Sequence, residues 1–545
     1  MANPWADRGV GRYVAPVAVA FVCAAAAVAT ASSLRRPLEI DETVSFWIAD
    51  RSSLGTLLDR SLRYSATPPL SFVCQRALLD AFGRNELMLR IPAWASYLGA
   101  VVAVAFLGGR WLNPTAGALA ALLLALHPMA QKFAVQGRPY TLGLLLAIGA
   151  VGATEALGRA GFHWRRLAPW FVLNLALLYT HYLFVLLWVA EFVWLSLAAR
   201  RGTVRLANVV IWFGGLGLAA LPLRAAVMHV WRHREFLNWN PYPPPWTDLA
   251  GPLLPFHWTR ASQPVPWILL AVSLAWQVTV YGIRPRNWFI AERLRACANV
   301  TLHAVVWTLG PVVGLALLGR FWLPSLATDR YMLIYVPCGV VWIAGLLSSL
   351  RGRIVPGLLL LAIVWLAVDF GGVRAAYDRW RSGENGQLAN GRSTSVDQRW
   401  KDVAKSLSAV DSHDRVFVGT GLTEMTLVPV YFGDPVFQDY ATCRLSRIYF
   451  GQDAERLALP MSWTRDLALA YQRRPPATRS DQAAPAAAPR SIWLIAATDT
   501  DRLVATAEQA RRLIKSWGWL ESSLDHHAGV LVARYVPPEA RDIER

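Results

Sequence analysis

The sequence predicts a polytopic α-helical membrane protein with an external α/β domain at its C-terminal end. Hydrophobic residues make up 55% of the 545 residues and charged residues only 17%, whereas an ordinary soluble domain has about 25% charged residues. Apolar runs of roughly 20 residues, the length that crosses a bilayer, recur through the first two thirds of the chain. These observations exclude a disordered protein, a disulfide-rich secreted module and a simple cytosolic enzyme.

About eleven apolar runs are interpreted as transmembrane helices. They lie near residues 14–34, 91–109, 114–130, 139–157, 168–180, 181–199, 206–224, 265–282, 298–319, 331–350 and 354–371. The stretch 168–199 is divided near Thr180 and His181, because one helix over its whole length would be too long for a single crossing. The run Pro68–Phe82 is not counted as a span. It is short and contains charged residues, which predicts an interfacial amphipathic helix.

The basic residues predict the orientation of the spans rather than nucleic-acid binding. Lys and Arg number 54 against 36 Asp and Glu, a net charge of +18, but only four of the basic residues are Lys. The Arg residues cluster between apolar runs, and such clusters are retained on the cytoplasmic side of membranes. With the N-terminus in the cytoplasm nearly every cluster lies inside, Arg35 and Arg36 being exceptions. The external segments are then 35–90, a turn near 131–138, the loop 225–264 and everything after about 373.

The chain therefore divides into a membrane domain, residues 1–372, and an external domain, residues 373–545. The external domain has short strand-like runs at Val416–Gly419, Ile492–Ala496 and Val530–Tyr535, with a helical pattern at 502–516. Alternating helical and strand patterns predict a small α/β domain. A Pro/Ala-rich stretch near 474–490 predicts a flexible insertion.

Charged and aromatic residues from distant segments meet at the external face of this topology. Asp41 and Glu42 follow the first span and can act as general bases or bind a metal, although a solvated loop charge is the plainer alternative. The other residues at this face are Arg90, Arg138, Tyr140, His181, Arg330 and Tyr331. Each alone is typical of a helix cap or an interfacial side chain. Together, two acids and at least three cations suit an anionic lipid headgroup such as a phosphate.

Six segments follow one another along the chain in the order IDETVSFW, SATPPLSF, FGRNELMLRIP, HPMAQKFAVQGRPYTLGLLL, LLYTHYLFVLLW and ATDRYMLIYVPCGVVWIAGLL. In this order they resemble the corresponding segments of the bacterial membrane glycosyltransferases. These are the GT-C enzymes related to dolichyl-phosphate-mannose–protein mannosyltransferase and the lipid A aminoarabinose transferase. The resemblance covers roughly residues 30–350. It implies a GT-C-like fold in the bacterial inner membrane and a polyprenyl-phosphate-sugar donor. The sugar would be transferred with inversion to a hydroxyl of a protein, lipid or glycan, on the periplasmic or extracytoplasmic side.

The resemblance also implies residue roles. Asp41 would be the general base with Glu42 beside it, and Arg90, Arg138 and Arg330 would hold the donor phosphate, helped by Tyr140, His181 and Tyr331. No cofactor is required; a divalent metal is possible, but the sequence does not indicate one.

Two positions depart from the family pattern. Thr67 stands before Pro-Pro where many relatives carry Lys or His, so phosphate binding can depend on Lys132 or His181 instead. Gln136 and Gly137 precede Arg138 where relatives often carry an acid, which puts a second catalytic acid and a metal site in doubt.

Two other classes of protein are compatible with the span count. A transporter or flippase of a lipid-linked sugar would place ionisable residues within the bilayer and often show internal repeats. Glu191 is the only acid well inside a predicted span, and no repeat is evident. A non-catalytic scaffold would explain the spans but not the acids and Arg residues at one face.

Overall fold

The structure of the chain is a computed structural model. The residues that it describes are 9–50, 53–65, 67–232, 301–321, 329–349, 400–403, 407, 410, 414–420, 425, 428–445, 455–461, 463–473, 489–498, 500–527 and 530–538.

Most of the described chain before residue 350 is helical. The helices are α1 Gly9–Ala31, α2 Ile40–Ala49, α3 Leu54–Asp59, α4 Leu70–Phe82, α5 Glu86–Trp111, α6 Pro114–Ala125, α7 Pro128–Ala134, α8 Tyr140–Ala160, α9 Trp164–Leu178, α10 Leu186–Arg200, α11 Leu206–Ala220, α12 Arg224–Arg232, α13 Gly310–Phe321, α14 Asp329–Met332 and α15 Val336–Ser349. Among the described residues, six helices are long and apolar enough to cross a membrane, or seven if α6 and α7 together form one bent span. The chain is therefore a polytopic helical membrane protein.

The predicted spans agree with these helices to different degrees. The division near Thr180 and His181 is confirmed, because α9 ends at Leu178 and a short 3-10 helix leads into α10. The run 331–350 corresponds to a shorter apolar helix, Arg330–Gly345. The runs 265–282 and 354–371 lie outside the described residues, as does most of the loop 225–264, so the count of eleven stays a prediction. Helix α4 is too short to span, as predicted for Pro68–Phe82.

One predicted span is bent rather than straight. The run 114–130 covers α6 and the first three residues of α7, and the two helices meet at an angle of 62°. Pro128 is the first residue of α7, and a proline both lacks a backbone donor and restricts the residue before it, here His127, to extended backbone. The bend leads the chain through α7 into the turn that precedes α8.

The helices pack around α5. This helix contacts α1, α6, α7 and α8, and α15 packs on α6. The shared core contains buried side chains such as Tyr97, Val104, Leu124, Leu144 and Trp307. Tyr97 donates its hydroxyl to the carbonyl of Ala125, the last residue of α6, at 2.7 Å. Apolar side chains on the outer surfaces of several helices remain exposed, as expected for surfaces that face lipid.

The C-terminal region contains one mixed β-sheet. Its strands are β1 Arg415–Gly419, β2 Glu455–Ala458, β3 Ile492–Ala497, β4 Leu520–His527 and β5 Val530–Val536, in the order β2-β1-β3-β5-β4. Strand β1 pairs parallel with β2 and β3, whereas β5 pairs antiparallel with β3 and β4. The helices here are α16 Val428–Tyr431, α17 Pro435–Ala441, α18 Arg465–Arg473 and α19 Asp501–Ser516. The predicted α/β character is confirmed, and residues 474–488 of the predicted insertion lie outside the described residues.

Helix α2 packs against this sheet domain. Trp47 of α2 donates its indole N–H to Asp439 at 2.7 Å, and its ring lies 5.2 Å from that of Tyr440. Tyr64 donates its hydroxyl to Asp434 at 2.9 Å. The segment 35–90 and the C-terminal sheet therefore lie at the same end of the helix bundle.

Candidate functional site

Asp41 lies in the first turn of α2, between two arginines from distant parts of the chain. Its Oδ2 is 3.3 Å from Nη2 of Arg138 and 3.4 Å from Nη1 of Arg330. Arg138 also donates to the backbone carbonyl of Asp41 at 3.0 Å. The Asp41 side chain is 45% exposed. One accessible carboxylate thus lies beside two guanidinium groups, and these three residues carry a net charge of +1.

Aromatic side chains line the same cluster. The guanidinium of Arg138 lies 5.7 Å from the ring of Tyr140, and that of Arg330 lies 5.0 Å from the ring of Tyr331. The two tyrosine rings are 6.1 Å apart. Burial lowers the pKa of Arg138, but the charge of Asp41 and the hydroxyl of Tyr140 raise it more, so the net shift is upward. Arg138 is therefore charged at every physiological pH.

His181 completes the cluster as a neutral group. Its ring lies 4.8 Å from Tyr331 and 6.2 Å from Tyr140. Burial, together with the charges of Arg330 and Arg138, lowers the pKa of His181 to about 3. Nδ1 accepts the backbone N–H of Leu183 at 3.3 Å, so the ring proton is on Nε2.

With this lowered pKa, His181 is neutral near pH 7 and can donate one hydrogen bond from Nε2. Its part in phosphate binding, in place of a cation at Thr67, stays a prediction. Lys132, the other substitute, is exposed, and its Nζ lies 5.6 Å from the ring of Phe133. The structure describes no contact from Lys132 to Asp41, Arg138 or Arg330.

Glu42 and Arg90 are placed behind this cluster rather than in it. The Glu42 side chain is 0% exposed and that of Arg90 is 2% exposed, with Nη2 of Arg90 2.5 Å from Oε2 of Glu42. Nε of Arg90 is 2.7 Å from the other oxygen, Oε1. The same guanidinium donates to backbone carbonyls, including those of Arg36 and Pro37 at 2.6 and 2.9 Å. The two residues form a buried ion pair that connects α2, α5 and the segment before α2.

The turn before Arg138 is held by Glu42 and by two residues without a predicted role, Gln75 and Glu39. Oε1 of Glu42 accepts the backbone N–H of Gly137 at 2.6 Å, and Gln75 donates to the Gly137 carbonyl at 2.8 Å. A Cβ on Gly137 would lie 2.9 Å from Cγ of Leu89, so a larger residue there would require Leu89 or the turn to move. Gln136 donates to Glu39 at 2.8 Å.

The spacing of Glu39 and Glu42 is the signal that could have indicated this arrangement. A side chain at the N-cap followed by Glu three residues later is a capping pattern, and the structure has this capping box at the start of α2. Glu42 therefore points back toward the helix start, away from the face on which Asp41 lies.

Among the described residues, no group of three or more His, Cys, Asp or Glu side chains is arranged to hold a metal ion. The chemistry available at the cluster is that of one carboxylate, two guanidiniums, two phenols and a neutral imidazole. Such a set can bind a phosphate and remove a proton from a hydroxyl.

The arrangement of membrane helices and a mixed sheet packed on α2 also occurs in solved structures of other proteins. The structure of ArnT from Cupriavidus metallidurans bound to undecaprenyl phosphate is similar at a TM-score of 0.55 and 13% identity, over 95% of this chain and 97% of that chain. The apo structure of the same ArnT gives a TM-score of 0.53 at 14% identity, over the same shares.

The oligosaccharyltransferase of Archaeoglobus fulgidus is more distant, with a TM-score of 0.46 and 11% identity over 88% of this chain and 67% of that chain. No protein-family model and no curated protein sequence gives a significant match. The similarity to ArnT shows the fold, which confirms the predicted combination of membrane helices and a C-terminal sheet domain. The relation to the protein mannosyltransferases stays a prediction.

Proposed function

We propose that this protein is a membrane glycosyltransferase that moves a sugar from a polyprenyl-phosphate donor to an acceptor hydroxyl, with inversion. The observation that carries the proposal is the accessible Asp41 carboxylate held between Arg138 and Arg330, in a chain with the fold of a protein whose structure contains undecaprenyl phosphate. The acceptor belongs to a protein, a lipid or a glycan. The site and the C-terminal domain lie on the external side of the bacterial inner membrane.

The cluster supplies what this reaction needs. The acceptor oxygen attacks the anomeric carbon, the bond from that carbon to the phosphate oxygen breaks, and Asp41 takes the hydroxyl proton. The leaving group changes from a phosphodiester to a phosphomonoester and so gains negative charge. Arg138 and Arg330 stabilise this developing charge, and Tyr140, Tyr331 and the Nε2–H of His181 can donate further hydrogen bonds.

Glu42 and Arg90 have a positioning role in this proposal. Their pair is buried and fixes the start of α2 and the turn that carries Arg138. Neither side chain reaches the accessible part of the cluster. Removing one partner of a buried pair typically costs about 3–5 kcal/mol of stability, so the loss in a Glu42 variant is a loss of folded protein.

Transfer from a labelled polyprenyl-phosphate sugar by purified protein in vesicles tests the proposal. Asp41→Asn should reduce turnover by ~10²–10⁴-fold, the usual effect of losing a general base, with donor affinity nearly unchanged. Asp80→Asn is a matched control, because Asp80 is 46% exposed and also pairs with two arginines. It should keep normal turnover.

Glu42→Gln should instead lower the melting temperature. If Asp41→Asn keeps normal turnover and Glu42→Gln remains stable but inactive, Glu42 is the base. Movement of labelled lipid across the bilayer without any transfer would identify a flippase and reject the proposal.

A further inference from the structure

A cavity with charged residues in its lining lies at the end of the helix bundle opposite the Asp41 cluster. It has a volume of about 440 Å³ and is lined by Glu155, Gly158, Arg159, Trp194, Leu197, Ala198, Arg201, Thr203 and His303. Helix α8 begins at Tyr140 in the candidate site, and Glu155 lies fifteen residues further along it. At 1.5 Å of rise per residue the two are about 22 Å apart. Helix α10 likewise starts near His181 and ends beside Arg201.

Among the described residues that line the cavity, Glu155 is the one acid, and it is paired with two partners. Glu155 is 3% exposed, with one carboxylate oxygen 2.8 Å from Nε of Arg159 and the other 2.5 Å from Nε2 of His303. The His303 ring lies between Trp111 and Trp194, 4.3 Å from each. Glu155 and His303 are therefore held in place by their neighbours, and Glu155 fixes Arg159 at the cavity wall.

Arg201 adds a positive charge that nothing in the described part of the chain neutralises. It follows the last residue of α10, its side chain is exposed, and its guanidinium has no hydrogen bond or ion pair with any residue that the structure describes. Arg159 and Arg201 against Glu155 give the described lining of the cavity a net charge of +1. An anion is the ligand that this balance favours.

Aromatic residues beside the cavity place it at the level of lipid headgroups. Gly161 lies so close to Thr203 that an added Cβ would be 3.0 Å from the Thr203 carbonyl. Next to it, Phe162 is 58% exposed and stacks on Trp212 at 5.8 Å, and Trp164 is 64% exposed. Exposed aromatic side chains at the ends of membrane helices are typical of the headgroup region.

We propose that this cavity binds the phosphate of an anionic phospholipid from the membrane leaflet opposite the candidate active site. Arg201 is the principal phosphate ligand, and Arg159 is the second, oriented by Glu155. Leu197, Ala198 and the Trp194 ring pack against the apolar part of the lipid near its headgroup. This proposal is independent of glycosyl transfer and holds whether or not that function is correct.

Binding is tested on delipidated full-length protein in a neutral detergent, with phosphatidylglycerol or phosphatidylcholine added in steps. The melting temperature should rise with phosphatidylglycerol, because a ligand that binds the folded state stabilises it. Native mass spectrometry should show retained phosphatidylglycerol. Arg201→Gln should weaken the apparent affinity about 10- to 100-fold, the range for loss of a charged hydrogen bond. Because Arg201 has no protein partner in the described region, the variant should fold normally.

Arg200→Gln is the matched control, since Arg200 is the neighbouring exposed arginine and does not line the cavity. It should bind phosphatidylglycerol as the unchanged protein does. Equal losses in the two variants, or equal stabilisation by phosphatidylcholine, would overturn the proposal. Stabilisation by 10 mM inorganic phosphate alone, at about the same magnitude as by the lipid, would show a free-anion site and reject the lipid.

Discussion

Asp41 and Glu42 are adjacent acids with opposite surroundings. Successive residues of a helix point about 100° apart, so only one of two neighbours can face a given cavity. Asp41 is 45% exposed between two arginines, whereas Glu42 is fully buried against Arg90. Glu42 accepts the backbone N–H of Glu39 at 2.9 Å, and this capping interaction fixes Glu42 as the acid that points into the protein. Asp41 is thereby left on the accessible side of α2.

Arg330 is expected to bind the donor as well as to assist transfer. Arg330→Ala should weaken donor affinity about 10- to 100-fold, the effect of losing a charged hydrogen bond present in both ground and transition states. Arg330→Lys should restore only part of this, because Lys keeps the charge and loses the planar fork. Binding of a polyprenyl-phosphate sugar to each variant is the measurement.

Arg320→Ala is the control for a general charge effect, because Arg320 is an exposed arginine near the end of α13. Unchanged donor affinity in Arg330→Ala would remove Arg330 from the site and leave it as an interfacial anchor.

His181 predicts a specific dependence of stability on pH. Its pKa in the folded protein is about 3, below the value of about 6.5 in an unfolded chain. Between these two values the unfolded chain binds one proton more at this residue, so stability falls as the pH drops below about 6.5. The melting temperature in detergent should therefore fall less between pH 7 and pH 5 for His181→Gln than for the unchanged protein.

Exposed His163 serves as the comparison: His163→Gln should follow the unchanged protein between pH 7 and pH 5. An identical pH dependence in the His181 variant would mean that His181 accepts a proton in the folded state.

At the scale of elements, the lengths of the apolar runs and the local breaks between them predicted where helices begin and end. The pairing of distant segments, as in the sheet, could not be predicted from the sequence. The change of helix near Thr180 could be predicted because the apolar run exceeds one crossing. The bend at Pro128 was not predicted, because a proline close to the end of an apolar run is also compatible with a straight span. Strands β2 and β4 were not singled out: β2 has only four residues, and β4, with the sequence LESSLDHH, is mostly polar. Both owe their extended form to neighbouring strands.

The turn between α7 and α8 should be sensitive to a single methyl group. Gly137→Ala forces either the turn or Leu89 to move, because the added Cβ would be 2.9 Å from Cγ of Leu89. A shift of about 1 Å in Arg138 can lower turnover by ~10²-fold. We expect Gly137→Ala to lose most turnover while the protein still folds, as measured by the transfer assay and by melting.

Gly152→Ala is the matched control within α8, where an added Cβ meets no atom within 4 Å. Its turnover should be normal. Leu89→Ala combined with Gly137→Ala should recover part of the activity, because the smaller side chain leaves space for the new methyl group. Failure of the double variant to recover would mean that the turn itself does not tolerate alanine.

At the scale of the whole molecule, the candidate site depends on contacts that no local pattern contains. Asp41 meets Arg138 and Arg330 across 97 and 289 residues of sequence. The topology predicted that all three lie at one face, and the resemblance to a known family proposed their roles. The burial of Arg90 could not be foreseen, because charge and spacing alone do not distinguish a phosphate ligand from one half of a buried ion pair.

The topology itself makes the last prediction. Trp47 and Tyr64 contact Asp439 and Asp434 of the sheet domain, so both sets of residues occupy the same end of the bundle. The other end carries Arg159, Arg165 and Arg166 around His163, and such clusters remain on the cytoplasmic side. The sheet domain should therefore be external.

Single cysteines in a background without the five native ones test this orientation. The predicted topology places β4 outside, so exposed Ser522, replaced by cysteine, should react with a membrane-impermeant maleimide added to spheroplasts. It places the end of α8 in the cytoplasm, so exposed His163, replaced in the same way, should react only after permeabilisation. The reverse result would place the Asp41 cluster in the cytoplasm. Reaction of both cysteines before permeabilisation would put the two ends of α8 on one side, which a single crossing by this helix does not allow.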